Sequence, residues 1–199
     1  MHQFTNTIQI VGVMSATQWW EFLKGCVFSL VANNPSPAAQ RLRSRLYDTE
    51  CKIDTGVAIS NPNNFSCGKE CALYHGTCIL NGHGDILMGE KSHLGAMCYV
   101  NVHYGSLRIG NNVAIGPHTD IIVYSNDYRV GKKVTECRTQ EDVWIGSNVF
   151  VGAGCVILPG SQVGNNVVIR AGSVVKGSLE GNGLYAGSPC EKIKEGWYQ

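Results

Sequence analysis

The 199-residue chain lacks an excess of either charge, with 16 lysines and arginines against 15 aspartates and glutamates. It also lacks a basic stripe interleaved with aromatic residues, so we expect no nucleic-acid partner. The most apolar segment near the N-terminus falls short of the ~20 residues that a membrane-spanning helix needs. Most of the chain lacks apolar residues at spacings of three and four, which argues against a mainly helical fold.

The cysteines lack the arrangement of a metal or disulfide framework. There are nine of them, an odd number, with no CxxC pair and no secretory signal ahead of them. Cys67, Cys71, Cys98 and Cys155 fall on the inward positions of the repeat described next. We therefore expect reduced core thiols in a cytoplasmic protein.

A six-residue period is what the sequence has in place of helical or alternating patterns. Aliphatic residues recur at every sixth position, and a small or apolar residue stands four places after each. The first set is Ile145, Val151, Ile157, Val163, Ile169 and Val175; the second is Val149, Cys155, Ser161, Val167, Ser173 and Leu179. Hexapeptide periodicity is typical of a parallel β-helix, in which three hexapeptides form one triangular coil.

The period continues upstream as triplets that begin 21 residues apart, which is three hexapeptides plus three extra residues at one corner. The triplets are Cys67, Leu73 and Ile79; Met88, Leu94 and Val100; and Ile109, Ile115 and Ile121. A longer excursion from the same corner, at 124–141, predicts a protruding, solvated loop, and such loops are often functional. The period leaves open whether Thr139 begins another side of the prism or the loop runs on to Val143.

The first fifty residues do not follow the repeat. Ser15 and Gln18 resemble a capping box before an apolar helical segment, and a shorter basic segment follows at 38–47. We interpret 1–50 as a helical cap, 51–194 as the β-helix domain and 195–199 as a tail. Residues 15–31 suit either a cap or subunit contact, or a peripheral helix on a membrane surface.

Four stretches resemble the hexapeptide-repeat acyltransferases of the left-handed parallel β-helix type, in the branch of galactoside, maltose and polysaccharide O-acetyltransferases. They are RIGNNVAIGP at 108–117, DVWIG at 142–146, ILPG at 157–160 with RAGSVV at 170–175, and YAGSPC at 185–190. The resemblance implies an all-β solenoid with an N-terminal helical segment and one long loop. It also implies a homotrimer that uses acetyl-CoA to acetylate a sugar or glycan precursor in polysaccharide biosynthesis. The cytoplasmic location expected from the thiols leaves membrane association open.

The resemblance also assigns positions to the site, which it puts between subunits. Trp144, Ser147 and Ala171 correspond to coenzyme contacts, and Lys176 is a candidate for its phosphates. The family's catalytic histidine, on the long loop, corresponds to Asn126. An amide cannot take the proton from a sugar hydroxyl. His103, one coil earlier at the same corner, is the candidate surrogate base, and Tyr104, Asp127 and His83 are candidates for acceptor binding.

Three explanations of Asn126 stay open at this point. In the first, another histidine acts as the base, and His118 of a neighbouring subunit is a further candidate. In the second, the acceptor is an amino sugar that attacks without a base. In the third, the chain is inactive, either as a trimeric scaffold or binding protein or as a variant whose histidine was exchanged for asparagine. A metal site would need three converging histidines. We expect none, because the inferred positions of His75, His93, His103 and His118 do not share one corner.

Overall fold

The computed structural model describes residues 15–47, 49–128 and 131–196. Two helices come first, α1 (Ala16–Val31) and α2 (Pro37–Leu46). The predicted capping box is present: the Ser15 N–H donates to Gln18 Oε1 at 2.8 Å, and the Gln18 N–H donates to Ser15 Oγ at 3.2 Å. Short 3₁₀ turns occur at Pro62–Asn64 and Val134–Glu136.

The rest of the described chain is a left-handed parallel β-helix of about six coils with three faces, as expected. We name the faces sheets A, B and C. Sheet A comprises β1 (Lys52–Ile53), β4 (Ala72–Leu73), β7 (His93–Leu94), β10 (Ala114–Ile115), β15 (Phe150–Val151), β18 (Val168–Ile169), β21 (Gly183–Ala186) and the antiparallel β22 (Glu191–Glu195). Sheet B comprises β2 (Ala58–Ile59), β5 (Cys78–Leu80), β8 (Tyr99–Asn101), β11 (Asp120–Ile122), β16 (Val156–Ile157) and β19 (Val174–Val175). Sheet C comprises β3 (Phe65–Cys67), β6 (Asp85–Met88), β9 (Ser106–Ile109), β14 (Val143–Ile145), β17 (Gln162–Val163) and β20 (Ser178–Leu179).

The register of the sheets follows the six-residue period. In sheet A, Leu73 pairs with Leu94, which pairs with Ile115, and Ile115 pairs with Val151. These side chains are at most 2 % exposed, because each points into the prism and is covered by its neighbours above and below. The repeat begins one coil earlier than the sequence triplets, since Ile53 pairs with Leu73 in the same column.

The long excursion folds as a two-stranded antiparallel ribbon of β12 (Tyr124–Asn126) and β13 (Arg138–Gln140). Thr139 pairs with Ser125 in this ribbon, and the prism resumes at Val143, which is fully buried. The register question is therefore decided in favour of a loop that runs to Val143. The exposed lysines of the loop, Lys132 and Lys133, agree with the expectation of a solvated segment.

The two helices lie against the first coil, and a buried arginine joins them to it. The fully buried Arg43 of α2 donates to the carbonyl oxygens of Val31, Asn34 and Ile53 at 2.5, 2.7 and 3.1 Å. Arg43 belongs to the basic segment at 38–47, but its side chain is buried in the interior and does not face a surface. The reason is that the end of α1 and the start of β1 leave carbonyls that need donors.

The apolar face of α1 lies outward and does not cover the prism. Large apolar side chains of α1 are 36–79 % exposed: Trp19, Trp20, Phe22, Leu23, Val27 and Leu30. The residues of α1 that line its groove against the rest of the chain are Glu21, Lys24 and Gly25. No helix among the described residues is long and apolar enough to cross a bilayer.

Candidate functional site

The turns between sheets B and C form what we call the loop corner, comprising residues 60–64, 81–84, 102–105, 123–128, 131–142, 158–161 and 176–177. Successive coils of a β-helix are separated by about one strand spacing, ~4.8 Å, so the turns stack along the axis. The loop corner therefore brings together residues that are far apart in sequence. Six of the predicted site residues lie on it: His83, His103, Tyr104, Asn126, Asp127 and Lys176.

A ladder of rings runs along the loop corner from coil to coil. The ring of His83 stacks on that of Tyr104 with centroids 5.2 Å apart, and His103 contacts the Tyr104 and Tyr124 rings at 4.1 and 4.3 Å. The Arg138 guanidinium lies 5.7 Å from the centre of the Tyr124 ring and donates to its hydroxyl. The ladder joins the predicted His83, His103 and Tyr104 to the base of the ribbon, and Tyr104 stays 58 % exposed.

The ribbon is tied to the prism at its base by backbone and side-chain hydrogen bonds. The Val123 N–H donates to Asn101 O at 2.8 Å, and the Asn101 amide donates to Tyr124 O at 3.2 Å. On the returning limb, Asp142 accepts the Ser106 N–H at 2.8 Å. Hydrogen bonds to prism residues at both limbs set where the ribbon leaves the corner, and hence where Asn126 lies.

A cleft of about 320 Å³ lies between the ribbon and the C-terminal coils. Its lining residues are Ser125, Asn126, Asp127, Thr139, Glu141, Leu158, Pro159 and Lys176. Asn126, Asp127 and Lys176 were candidates from the sequence, and the structure brings them together. Lys176, one of the predicted coenzyme contacts, thus shares a cleft with the position of the family base.

Glu141 and Thr139 are cleft residues that sequence reasoning missed. In the sequence they belong to a charged loop segment without a motif, and only the antiparallel pairing of the ribbon returns them to the corner. The position of Glu141 directly before the DVWIG stretch was a usable signal, because the chain re-enters the prism there. The cleft therefore holds two carboxyl groups, Asp127 and Glu141, and one ammonium group, Lys176.

The other predicted coenzyme contacts lie elsewhere on the prism. Trp144 is in the middle of β14 on sheet C and is 56 % exposed. Ser147 lies at the corner between sheets C and A, where its Oγ accepts the Asn111 N–H at 3.1 Å. Ala171 lies at the corner between sheets A and B. Within one chain the structure does not bring Ala171 together with Trp144.

The remaining histidines stand apart from the cleft. His75 and His118 lie at the corner between sheets A and B, two coils apart, and His93 is on β7. The His75 Nδ1 is 2.7 Å from Thr55 Oγ1, and burial lowers the pKa of His93. Within the described ranges, no group of three or more histidine, cysteine or acidic side chains is arranged to hold a metal ion.

The cysteines are unpaired, and most are buried. All nine lie in the described ranges as free thiols, and Cys71, Cys98 and Cys155 are at most 2 % exposed, as their inward positions predicted. Burial raises the pKa of the Cys98 thiol to about 11. Cys67 differs, because it is only half-buried and hydrogen bonds from Cys51 and Thr49 lower the pKa of its thiol.

The coiled prism of hexapeptides, with one ribbon at a corner, has the left-handed β-helix fold of known acetyltransferase structures. Residues 142–177 match the family model described as bacterial transferase hexapeptide (six repeats). These residues therefore carry the hexapeptide repeat that the motifs indicated, and the curated relatives to which the chain is similar include galactoside O-acetyltransferases.

Individual relatives give the extent of the similarity. The galactoside O-acetyltransferase of Lactococcus lactis is 32% identical over 107 residues, which is 51% of this chain and 52% of the relative. This chain spans about half the length of the curated relatives it matches. Among solved structures, a galactoside acetyltransferase in complex with coenzyme A has a TM-score of 0.61 at 23% identity, covering 92% of this chain and 84% of that one. A variant of AntD, an N-acyltransferase from Bacillus cereus, in complex with dTDP and coenzyme A, has a TM-score of 0.66 at 21% identity, covering 78% of this chain and 88% of that one.

Proposed function

We propose that this chain is an acetyl-CoA-dependent O-acetyltransferase that acts on a sugar or glycan precursor. The observation that carries the proposal is the cleft between the ribbon and the C-terminal coils, which joins the family's base position, Asn126, to Lys176. Coenzyme A is present in structures of the same fold, including a galactoside acetyltransferase. Acetyl-CoA is therefore the proposed co-substrate, with Trp144, Ser147, Ala171 and Lys176 as its proposed contacts.

The acceptor is proposed to lie along the ring ladder of the loop corner. Sugars present C–H faces that pack on aromatic rings, and the exposed Tyr104 offers such a surface beside His83 and His103. Asp127 in the cleft can accept hydrogen bonds from sugar hydroxyls. The chemistry of this corner thus suits a polyhydroxylated acceptor placed next to the thioester.

A homotrimer with sites between neighbouring prisms is part of the proposal. Trp144 and Ala171 lie on different parts of one prism, so a single chain does not enclose a coenzyme with both. Neighbouring copies packed side by side would close the cleft with the face of one prism against the corner of the next. Light scattering coupled to gel filtration tests this, and a monomer at micromolar concentration would contradict it.

The assay that tests the function measures acetyl-CoA consumption and acetyl transfer to a panel of sugars, amino sugars and glycan fragments. Wild type is compared with Asn126→His. Activity in Asn126→His alone would mean that the missing base disables the natural chain. Equal activity in both would place the base elsewhere, and transfer restricted to amines would favour N-acetylation. Failure of both proteins to bind or use acetyl-CoA would refute the enzyme proposal and favour a scaffold.

Peripheral membrane contact is proposed for the apolar face of α1. Trp19 and Trp20 are exposed side by side, and tryptophan suits the lipid interface because its ring is apolar and its N–H is polar. The adjoining α2 has arginines and no acidic residue, which favours anionic headgroups. Sedimentation with vesicles containing phosphatidylglycerol should carry wild type down but not the variant with Trp19→Ser and Trp20→Ser. Concentration-dependent self-association lost in the same variant, without vesicle binding, would instead make a second copy the occupant.

The cytoplasm is the proposed location, because nine unpaired thiols suit a reducing compartment.

A further inference from the structure

Glu141 lies where a reacting hydroxyl could reach it. It follows β13 directly and lines the same cleft as Asn126 and Lys176. In the ribbon, Asn126 pairs with Arg138, whereas Glu141 lies beyond the Tyr124–Gln140 pair, next to the prism. Its carboxyl group therefore belongs to the floor of the cleft, and Asn126 to its wall.

The backbone of Glu141 is fixed on both sides. Its N–H donates to Val123 O at 3.1 Å, and its carbonyl oxygen accepts the Gly160 N–H at 3.1 Å. Thr139 Oγ1 donates to Glu141 Oε1 at 3.2 Å, which holds one oxygen of the carboxylate. A residue with both backbone groups bonded to the prism and one side-chain oxygen held is oriented in advance for proton transfer.

The opposite wall is shaped to leave room for the second oxygen. Gly160 has a φ of +77°, and a Cβ at this position would come within 2.5 Å of Glu141 Oε2. Glycine at 160 is therefore needed twice, for its left-handed backbone and for the approach of the carboxylate. No ion pair to Glu141 occurs among the residues that the structure describes.

The other groups near Asn126 are less suited to remove a proton. The Asn126 amide has no basic atom at useful pH. One oxygen of the Asp127 carboxylate already accepts the Tyr128 N–H at 2.8 Å, so this group is engaged within the ribbon. His103 is packed against the rings of Tyr104 and Tyr124 and is not among the cleft-lining residues.

We infer that Glu141 is the general base of acetyl transfer, in place of the histidine that the family carries at position 126; this rests on the proposed function. The acceptor oxygen attacks the thioester carbonyl carbon while its proton passes to Glu141 Oε2. The tetrahedral intermediate then expels the coenzyme sulfur by breaking the C–S bond, and Glu141 returns the proton to the thiolate. The products are the acetyl ester and coenzyme A, with the carboxylate restored.

Glu141→Gln is the direct test, because the amide keeps the size and the bond from Thr139 but cannot accept a proton. We expect kcat to fall about 10²- to 10⁴-fold, the loss typical of a general base, with the KM for acetyl-CoA unchanged. The limb of the pH profile on which wild-type kcat/KM rises with pH should be absent in the variant. Glu136→Gln is the matched control, since Glu136 is an exposed glutamate of the same loop, 3.6 Å from Lys133, and its activity should equal wild type.

Two further variants separate a catalytic role from a structural one. Asn126→His in the Glu141→Gln background should recover activity, because it restores a base elsewhere in the cleft. Gly160→Ala should lower kcat by moving the carboxylate, and its thermal midpoint reports the accompanying backbone strain. Wild-type activity in Glu141→Gln with an unchanged pH profile would overturn the inference and leave the acetyltransferase function intact. A wild-type chain that binds no acetyl-CoA would overturn both.

Discussion

Replacing Arg43 tests how the helical segment is joined to the β-helix. The guanidinium is fully buried and bonds three carbonyl oxygens from three segments, at the end of α1, in the linker and in β1. Within the described residues it makes no ion pair, and its Nη2 has no partner. Its contribution therefore depends on the charge-assisted bonds alone, and Arg43→Ala removes all three.

The magnitude follows from those bonds. A hydrogen bond to a charged group stabilises by ~1.5–3 kcal/mol, and a buried carbonyl left without a donor costs a further ~1–3 kcal/mol. If water reaches the emptied space and hydrates the three carbonyls, that further cost is removed, and three bonds at the lower limit of ~1.5 kcal/mol each give a loss of about 4.5 kcal/mol. Arg43→Lys keeps one charged donor group but not the forked geometry, so we expect about half that loss.

Urea unfolding followed by circular dichroism measures the change, with Arg41→Ala as control because Arg41 is an exposed arginine of the same helix. Amide exchange gives a local measurement, since the Gly56 N–H donates to Ala32 O across the same junction. We expect this amide to lose protection in Arg43→Ala before the amides of the middle coils do. Surface substitutions usually change stability by no more than about 0.5 kcal/mol. A free energy of unfolding of Arg43→Ala within about 1 kcal/mol of the Arg41→Ala control would therefore refute the reasoning.

Two further predictions concern the prism. Cys67 should be the first thiol alkylated at neutral pH, because hydrogen bonds from Cys51 and Thr49 favour its thiolate and lower its pKa. Mass spectrometry after iodoacetamide labelling at a series of pH values checks this, and a midpoint at or above the ~8.5 of an ordinary thiol would contradict it. Gly152→Ala should lower stability by about 1–3 kcal/mol, because its Cβ would come within 2.4 Å of the Ala171 nitrogen in the next coil. Gly25→Ala in α1 is the comparison: nothing lies within 4 Å of its Cβ, so it should gain helix propensity without a clash.

The sequence was sufficient for the prism because each coil repeats one local rule. An inward aliphatic residue every six places predicts both the strands and their register, since the same column continues from Leu73 to Ile169. The six-residue count missed the first coil because Ile53 and Ile59 are followed by the 3₁₀ turn at Pro62–Asn64, which interrupts the six-residue spacing. The period alone also left Thr139 ambiguous, and its pairing with Ser125 in the ribbon was needed to decide it.

The candidate site was predictable only where it follows that repeat. His83, His103 and Tyr104 were assigned to one corner by counting, and their rings do meet there. Glu141 reaches the cleft through pairing between two limbs of a loop, which no local period encodes. The same limitation applies to α1, whose apolar periodicity predicts an apolar face but does not say that this face lies outward.

The two positions considered for the base imply different places for the acceptor. Asn126 and Glu141 lie at different heights on the ribbon, three residues apart in register, and three residues along a strand correspond to ~10 Å. A base at Glu141 therefore requires the reacting hydroxyl to come closer to the prism and to the Leu158–Pro159 turn than a histidine at 126 would. A base transferred back to 126 should then restore the rate while favouring a different hydroxyl of the same sugar. The position of the acetyl group in the products of Asn126→His with Glu141→Gln, compared with wild type, distinguishes a relocated base from a relocated acceptor.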